Sequence, residues 1–373
     1  MIAPRWNAWK GPTIEQQMIL HKHASGFDYM RLFLSVCIIL CHTIILCYPR
    51  TVETAMWTGP SRPFFYFLVP SFFAMSGFLV AGSLVRVNNI PAFLTLRAMR
   101  ILPALCGEVI ISAVIIGGIL TDLPLSRYFT HKNFYAYFLN IVGDVHFWLP
   151  GVLTQHRISK VNAQLWTIPY EFECYALITI LAFIGIVRHR AWLAVAAVIL
   201  TLLMNYADYR NGDLIYDWRP TGLFTVSGFL WGIILYMYRD KIPCNALLFL
   251  LATALSWWAL TYEETMYVAG LPVAYMTIYL GLMNPKRTLI ITSGDYSYGL
   301  YLYGFPVQQA LSQLVPASMV WYIHLPLTIL IAGFCAVVSW HLLEARVLSK
   351  KKQMLALVES LRSRMQRRLI LFA

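Results

Sequence analysis

Charged side chains are scarce in this sequence. Of 373 residues, 12% are Asp, Glu, Lys or Arg and 59% are hydrophobic. A soluble domain carries about 25% charge and cannot use that much apolar surface, so a soluble globular protein is excluded. Cysteine is no more informative of a framework. The seven cysteines form no CxxC pair and no Cys/His metal spacing, and Cys37, Cys41, Cys106, Cys174 and Cys335 lie inside apolar runs. That pattern points to neither a disulfide scaffold nor a resident metal. No small-residue cleavage site follows the first apolar run, so it reads as a retained helix and not a signal peptide. Internal repeats and low-complexity tracts are absent too. Acidic residues are the scarcest charge, 17 against 29 Lys and Arg, for a formal net charge of +12. In a membrane protein such an excess reports cytoplasmic loops facing anionic lipid, so a bilayer is the expected partner and nucleic acid is not.

Apolar runs of about 20 residues, the length that crosses roughly 30 Å of hydrocarbon, dominate the sequence. Ten are read at 29–48, 63–84, 101–120, 165–187, 191–206, 221–238, 244–261, 265–283, 295–314 and 320–343. With the N-terminus inside, the inner segments hold 20 Lys and Arg and the outer segments 8. The positive-inside rule then places both termini in the cytoplasm. The predicted fold class is an all-α polytopic membrane protein of about ten transmembrane helices. Its parts are a loose cytoplasmic segment 1–26, a transmembrane domain 27–345 and a basic cytoplasmic tail 346–373. Residues 133–153 are apolar but broken by Asp144, His146 and Pro150, and read as an interfacial or re-entrant piece on the outer face. In the tail, Met354, Leu357, Val358, Leu361 and Met365 recur at helical spacing among arginines, the pattern of an amphipathic helix on the inner leaflet; a solvated basic tail is the alternative.

Ionisable groups inside apolar runs are costly and mark function more often than not. Arg31 and His42 share the first run, in FDYMRLFLSVCIILCH. Eleven positions on a helix bring them to one face, roughly 16 Å apart along the axis. The bland alternative is an Arg that snorkels and a His bonded to a carbonyl. Arg97 and Arg100 are three apart at the inner mouth of the third span, where two guanidiniums can clamp a phosphorylated ligand. For an isolated RxxR, ordinary inside flanking is the commoner reading. Glu171 lies about six residues inside the fourth span, at the depth of His42 in the first, and Tyr175 shares its face. An imidazole and a carboxylate at one depth can act as a base and its orienter.

Six pieces, in order, carry a family resemblance. They are the Arg-ten residues-His pattern of FDYMRLFLSVCIILCH, FFAMSGFLV at 72–80, the RxxR of FLTLRAMRILPAL, LWTIPYEFECY at 165–175, SYGLYLYGFP at 297–306, and SWHLLE ending the last span. The sequence resembles the membrane acyltransferases of the acyltransferase-3 type, which O-acylate polysaccharides, lipid-linked glycans and some small molecules. The resemblance spans about residues 27–345. It implies that His42 is the catalytic His, that Arg31, Arg97 and Arg100 serve the acyl-CoA site, and that Glu171, Trp166 and Tyr175 belong to the acceptor-side motif. Ser76 and Gly77 fall in the SGF element, where a small pair lets helices or the donor chain approach closely. Tyr298 and Tyr301 match the ninth-span motif on the substrate side. Two departures stand out: Gly304 occupies a position where the family often has His, and Ala345 follows Glu344 where Pro is usual.

The resemblance implies acyl transfer from cytosolic acyl-CoA, most simply acetyl-CoA, to a hydroxyl of an extracytoplasmic glycan or glycolipid. No metal is implied. The location it implies is the bacterial inner membrane, with a possible partner in glycan assembly. Two other classes stay open on the residues alone: a transporter using Arg31, His42 and Glu171 as an ion path, and a membrane scaffold. CoA release by purified protein separates the enzyme from both.

Overall fold

The computed structural model describes residues 11–185, 189–211 and 222–372. Among them the regular structure is helical. The main helices are α1 (Gly26–Cys47), α2 (Arg62–Val87), α3 (Ile90–Leu120), α4 (Thr167–Phe183), α5 (Arg190–Asn211), α6 (Gly222–Met237), α7 (Ala246–Thr261), α8 (Met266–Leu282), α9 (Ser297–Leu314), α10 (Trp321–Ser349) and α11 (Lys351–Phe372). A helix thus stands at each of the ten predicted stretches. Four of them, α1, α2, α3 and α10, are long and apolar enough to cross a membrane. Residues 133–153 form no such helix: Lys132–Ala136 and a 3₁₀ turn Tyr137–Val142 give way to irregular chain.

The chain forms two compact units, each from two segments. Unit one is residues 1–82 with 170–295, and unit two is residues 83–169 with 296–373. In unit one, α1 packs along α8. Ser25 donates to the Pro285 carbonyl at 2.6 Å, and a Cβ on Gly26 would stand 2.3 Å from the Leu280 carbonyl oxygen. Glycine is required there because the two backbones touch. Residues 11–26 are not loose. Thr13 and Gln16 form a capping box that starts the short helix Ile14–Leu20. Ile14 is buried, its N–H donates to the Ile242 carbonyl, and Cys244 N–H donates to the Pro12 carbonyl. Glu15 N–H donates to the Arg239 carbonyl as well, and one apolar side chain with these backbone bonds outweighs the polar composition that suggests a free segment.

In unit two, α9 and α10 lie together and α3 packs with α10 and α11. Helix α3 begins eleven residues before the predicted span, because Asn89 caps it through the Ala92 N–H and Pro91 sits in its first turn. Arg97 and Arg100 therefore ride on a helix and not on a loop. Two π-helical turns interrupt this unit, Ile111–Ile116 in α3 and Trp340–Glu344 in α10. Such turns expose carbonyls to other donors. Tyr128 uses one, donating to the Ala113 carbonyl at 2.5 Å, and burial pushes its phenol pKa up so that it stays a donor. Asn89 also donates to Glu359 of α11, whose Met354, Leu357 and Leu361 are exposed.

Candidate active site

The predicted residues divide between the units. Arg31, His42, Ser76, Gly77, Glu171 and Tyr175 lie in unit one; Arg97, Arg100, Trp166, Tyr298 and Tyr301 lie in unit two.

In unit one, Arg31 and His42 both sit on the unbroken helix α1, half-buried. The helix is uninterrupted because the run between them holds no Gly or Pro. Arg31 is not an open cation. Its Nη2 donates to Asp28 Oδ1 at 2.5 Å, one turn earlier, and to Asp295 Oδ2 at 3.1 Å. Sequence reasoning gives neither carboxylate a role. Asp28 has the i,i+3 spacing that betrays it, whereas Asp295 is 264 positions away and carries no local signal. Glu171 and Tyr175 come together as their four-residue spacing requires: the Tyr175 hydroxyl donates to Glu171 Oε1 at 2.6 Å. Glu173, two positions on, is exposed on another face. At Gly77 the close approach is between helices. A Cβ there would meet the Phe229 carbonyl oxygen of α6 at 2.0 Å, and one on Gly232 would meet the Ala74 carbonyl at 2.1 Å. The small residues of α2 and α6 thus interlock backbone to backbone.

In unit two, Arg97 and Arg100 are both half-buried on α3, within about 60° of one another around the helix. Arg97 lies over the Phe93 ring at 6.0 Å and Arg100 over the Trp340 ring at 5.9 Å. Arg97 meets no acidic side chain among the described residues, and its Nε is buried without a partner. A stacked guanidinium keeps its donor edge for a planar or tetrahedral anion.

The ninth-span motif contains Pro306, which has no N–H and cannot bond the Leu302 carbonyl four residues back. A buried carbonyl needs another donor. Gln164 supplies it: its Nε2 donates to the Leu302 carbonyl at 2.7 Å and to the Tyr301 carbonyl at 2.9 Å. The Tyr301 hydroxyl lies 2.8 Å from Thr167 Oγ1 and 3.2 Å from the Gln164 carbonyl. Gln164 and Tyr301, 137 positions apart in sequence, are thereby tied together within unit two. Gln309 extends the seam, donating to the Ile158 and Lys160 carbonyls at 2.8 and 2.7 Å. Tyr298 is half-buried on α9, and half-buried Trp166 ends the 3₁₀ turn before α4.

Glu108 escapes the sequence reading, although it meets the criterion that singles out Arg31 and His42, an ionisable group inside an apolar run. It is fully buried, and its Oε1 accepts from Ser112 Oγ and Asn162 Nδ2, each at 2.5 Å. Glu344, which ends the last motif, is also buried and accepts from Ser339 at 3.2 Å. Among the described residues no group of His, Cys, Asp and Glu is placed to hold a metal ion.

Residues 25–344 match the profile of the acyltransferase-3 family, described as an acyltransferase domain. The chain is 28% identical to a protein named O-acetyl transferase from Shigella phage Sf6, over 91% of this chain and 100% of that protein. It is 25% identical to Nodulation protein 10 of Rhizobium leguminosarum bv. viciae, over 90% of this chain and 96% of that one. No solved structure matches. The family profile opens one residue before α1, which carries Arg31 and His42, and closes on the buried Glu344 of α10. The match covers well over half of the sequence, and this chain is an integral membrane protein of the acyltransferase-3 family.

Proposed function

We propose that the protein transfers an acyl group, most simply acetyl, from cytosolic acyl-CoA to a hydroxyl of an extracytoplasmic glycan or glycolipid. The observation that carries this reading is the family match over 25–344, joined to full-length similarity to a protein named O-acetyl transferase. In this reading all ten main helices before the tail cross the bilayer, both termini are cytoplasmic, and the membrane is the inner membrane of a bacterium. The excess of Lys and Arg in the inner segments supports that orientation.

His42, neutral and oriented by Glu171, takes the proton of the acceptor hydroxyl as its oxygen attacks the thioester carbonyl. A C–O bond forms, the C–S bond breaks, and the proton passes from His42 to the departing CoA sulfur. Arg97 and Arg100 bind the CoA phosphates through charge-assisted bonds. Arg31 works from the same helix as His42, its charge already shared with Asp28 and Asp295. A phosphate reaching Arg31 must therefore bond its remaining donors, among them the buried Nε that has no partner. Arg31 stands roughly 16 Å below His42 by helix rise, a span that an extended pantetheine arm covers. Trp166, Tyr175, Tyr298 and Tyr301 serve the acceptor side.

The test uses sealed vesicles of known orientation. Labelled acetyl-CoA is supplied on one face and a hydroxyl acceptor on the other. Labelled product is expected only with donor on the cytoplasmic face and acceptor on the outer one. Transfer that needs both substrates on the cytoplasmic face contradicts the two-sided arrangement, and absence of CoA-dependent transfer contradicts the activity.

A further inference from the structure

Residues 153–162 have no helix or strand to satisfy their backbone. Two backbone bonds, from Val161 N–H to the Phe147 carbonyl and from His156 N–H to the Leu153 carbonyl, hold part of the stretch, and side chains set the rest of its path. Gln309 of α9 holds the Ile158 and Lys160 carbonyls, and Ser312 lies 3.3 Å from His156 Nδ1. In return Asn162 and Gln164 reach back to α9, Gln164 to the Tyr301 and Leu302 carbonyls and Asn162 more loosely to Leu302 at 3.5 Å. An acid joins this seam from α3: Glu108 Oε1 takes the Asn162 amide at 2.5 Å.

A fully buried carboxylate is costly to desolvate and is offset only by well-placed donors. Glu108 has two donors, and both act on the same oxygen, one from its own helix and one from the irregular segment. A neutral side chain could hold Ser112 equally well. The carboxylate adds a strong, short anchor for Asn162. Four residues past Asn162 the segment ends at Trp166, and at Thr167 it meets the Tyr301 hydroxyl. The anchored element is thus the one that carries the acceptor-side groups of unit two.

We infer that Glu108 is a positioning residue: through Asn162 it fixes segment 156–166 along α9 and so sets the placement of Trp166 and Tyr301 for the acceptor. This rests on the acceptor-side reading of those two residues under the proposed function. Glu108 touches no substrate in this account. Its removal therefore alters how the acceptor is held, while use of acyl-CoA is left unchanged.

The test compares the full-length protein with Glu108→Gln, Glu108→Leu and Asn162→Ala, each purified in lipid nanodiscs. CoA release is followed with acetyl-CoA and a panel of methyl hexosides as probe acceptors. Glu108→Leu and Asn162→Ala are expected to raise the acceptor KM about 10- to 100-fold, the scale of losing one charge-assisted hydrogen bond. The acetyl-CoA KM should stay within about twofold, since nothing on the donor side is changed. Glu108→Gln keeps a carbonyl oxygen for both donors but loses the charge, so its acceptor KM should fall between those of the unaltered protein and the Leu variant. The double variant Glu108→Leu with Asn162→Ala should be no worse than either single one, because both break the same contact. Hydrogen exchange on the same samples should rise at 156–166 in the Leu and Ala variants and stay low in the Gln variant.

A loss of kcat for both substrates with both KM values unchanged makes Glu108 core glue and overturns the inference. So does a Gln variant as impaired as the Leu one, or unchanged exchange at 156–166. If Glu108→Leu does not fold, Asn162→Ala decides the same questions with the carboxylate in place. If the unaltered protein releases no CoA with any probe, the proposed function fails instead, and the exchange measurement still decides whether Glu108 anchors the segment.

Discussion

Replacing Gln164 with leucine tests the account of Pro306 most sharply. Proline leaves the Leu302 carbonyl without its helical donor, and Gln164 Nε2 replaces it at 2.7 Å while also holding the Tyr301 carbonyl at 2.9 Å. Leu302 is fully buried and Tyr301 half-buried, so water is a poor substitute at the first carbonyl and a partial one at the second. Leaving a buried acceptor unsatisfied costs about 1–3 kcal/mol. Gln164→Leu should therefore destabilise unit two by roughly 1–3 kcal/mol, the cost of the Leu302 carbonyl, for which Asn162 at 3.5 Å is a weak substitute. Pro306→Ala restores an N–H that can reach the Leu302 carbonyl. In the unaltered background that N–H competes with Gln164 and changes little. In the Gln164→Leu background it recovers about 1–2 kcal/mol, the worth of one satisfied buried group. The assay is thermal unfolding of the four detergent-purified proteins, followed by exposure of the free cysteines. The expected result is a clear rescue of Gln164→Leu by Pro306→Ala. Strictly additive losses would refute the reasoning, because they would mean that Gln164 is not serving the carbonyl that proline frees.

Gln at Arg97 or Arg100 should raise the KM for acyl-CoA more than that for the acceptor. Removing the CoA 3′-phosphate should weaken binding to the unaltered protein but hardly change the double Gln variant; equal sensitivity in both would reduce the pair to inside flankers. Gly77→Ala should destabilise unit one by about 1–3 kcal/mol, since its Cβ would meet a backbone carbonyl at 2.0 Å and no side chain can yield. Gly82→Ala, whose Cβ would meet the edge of the Tyr236 ring at 2.9 Å, should cost less. Melting temperatures of the two variants in one detergent compare them directly, and the reverse order would contradict the interlock.

Much of the helix layout is legible in the sequence because it rests on hydropathy. A helix stands at each of the ten apolar stretches, and Arg31–His42 and Glu171–Tyr175 meet the helical spacings read from the sequence. What escapes depends on partners remote in the chain. Asp295 reaches Arg31 and Asn162 reaches Glu108 across 264 and 54 positions, and no local pattern encodes either pairing. Glu108 itself is visible as a charge in an apolar run, but its task is not, because that task is set by the irregular segment it holds. Hydropathy places the start of α3 late because Arg97 and Arg100 interrupt the apolar window, whereas Asn89 and Pro91 start the helix well before them. Residues 11–26 mislead for a related reason: composition sees the polar side chains and not the capping box and backbone bonds that dock them.

The role of His42 as the base of an acyl transfer is tested by thiol release from acetyl-CoA, measured on the purified protein and on His42→Ala with a hydroxyl acceptor present. Acceptor-dependent release is expected from the unaltered protein, with a loss of about 10²–10⁴-fold in the variant and with folding and acetyl-CoA binding retained. Release by His42→Ala at the unaltered rate would contradict that role.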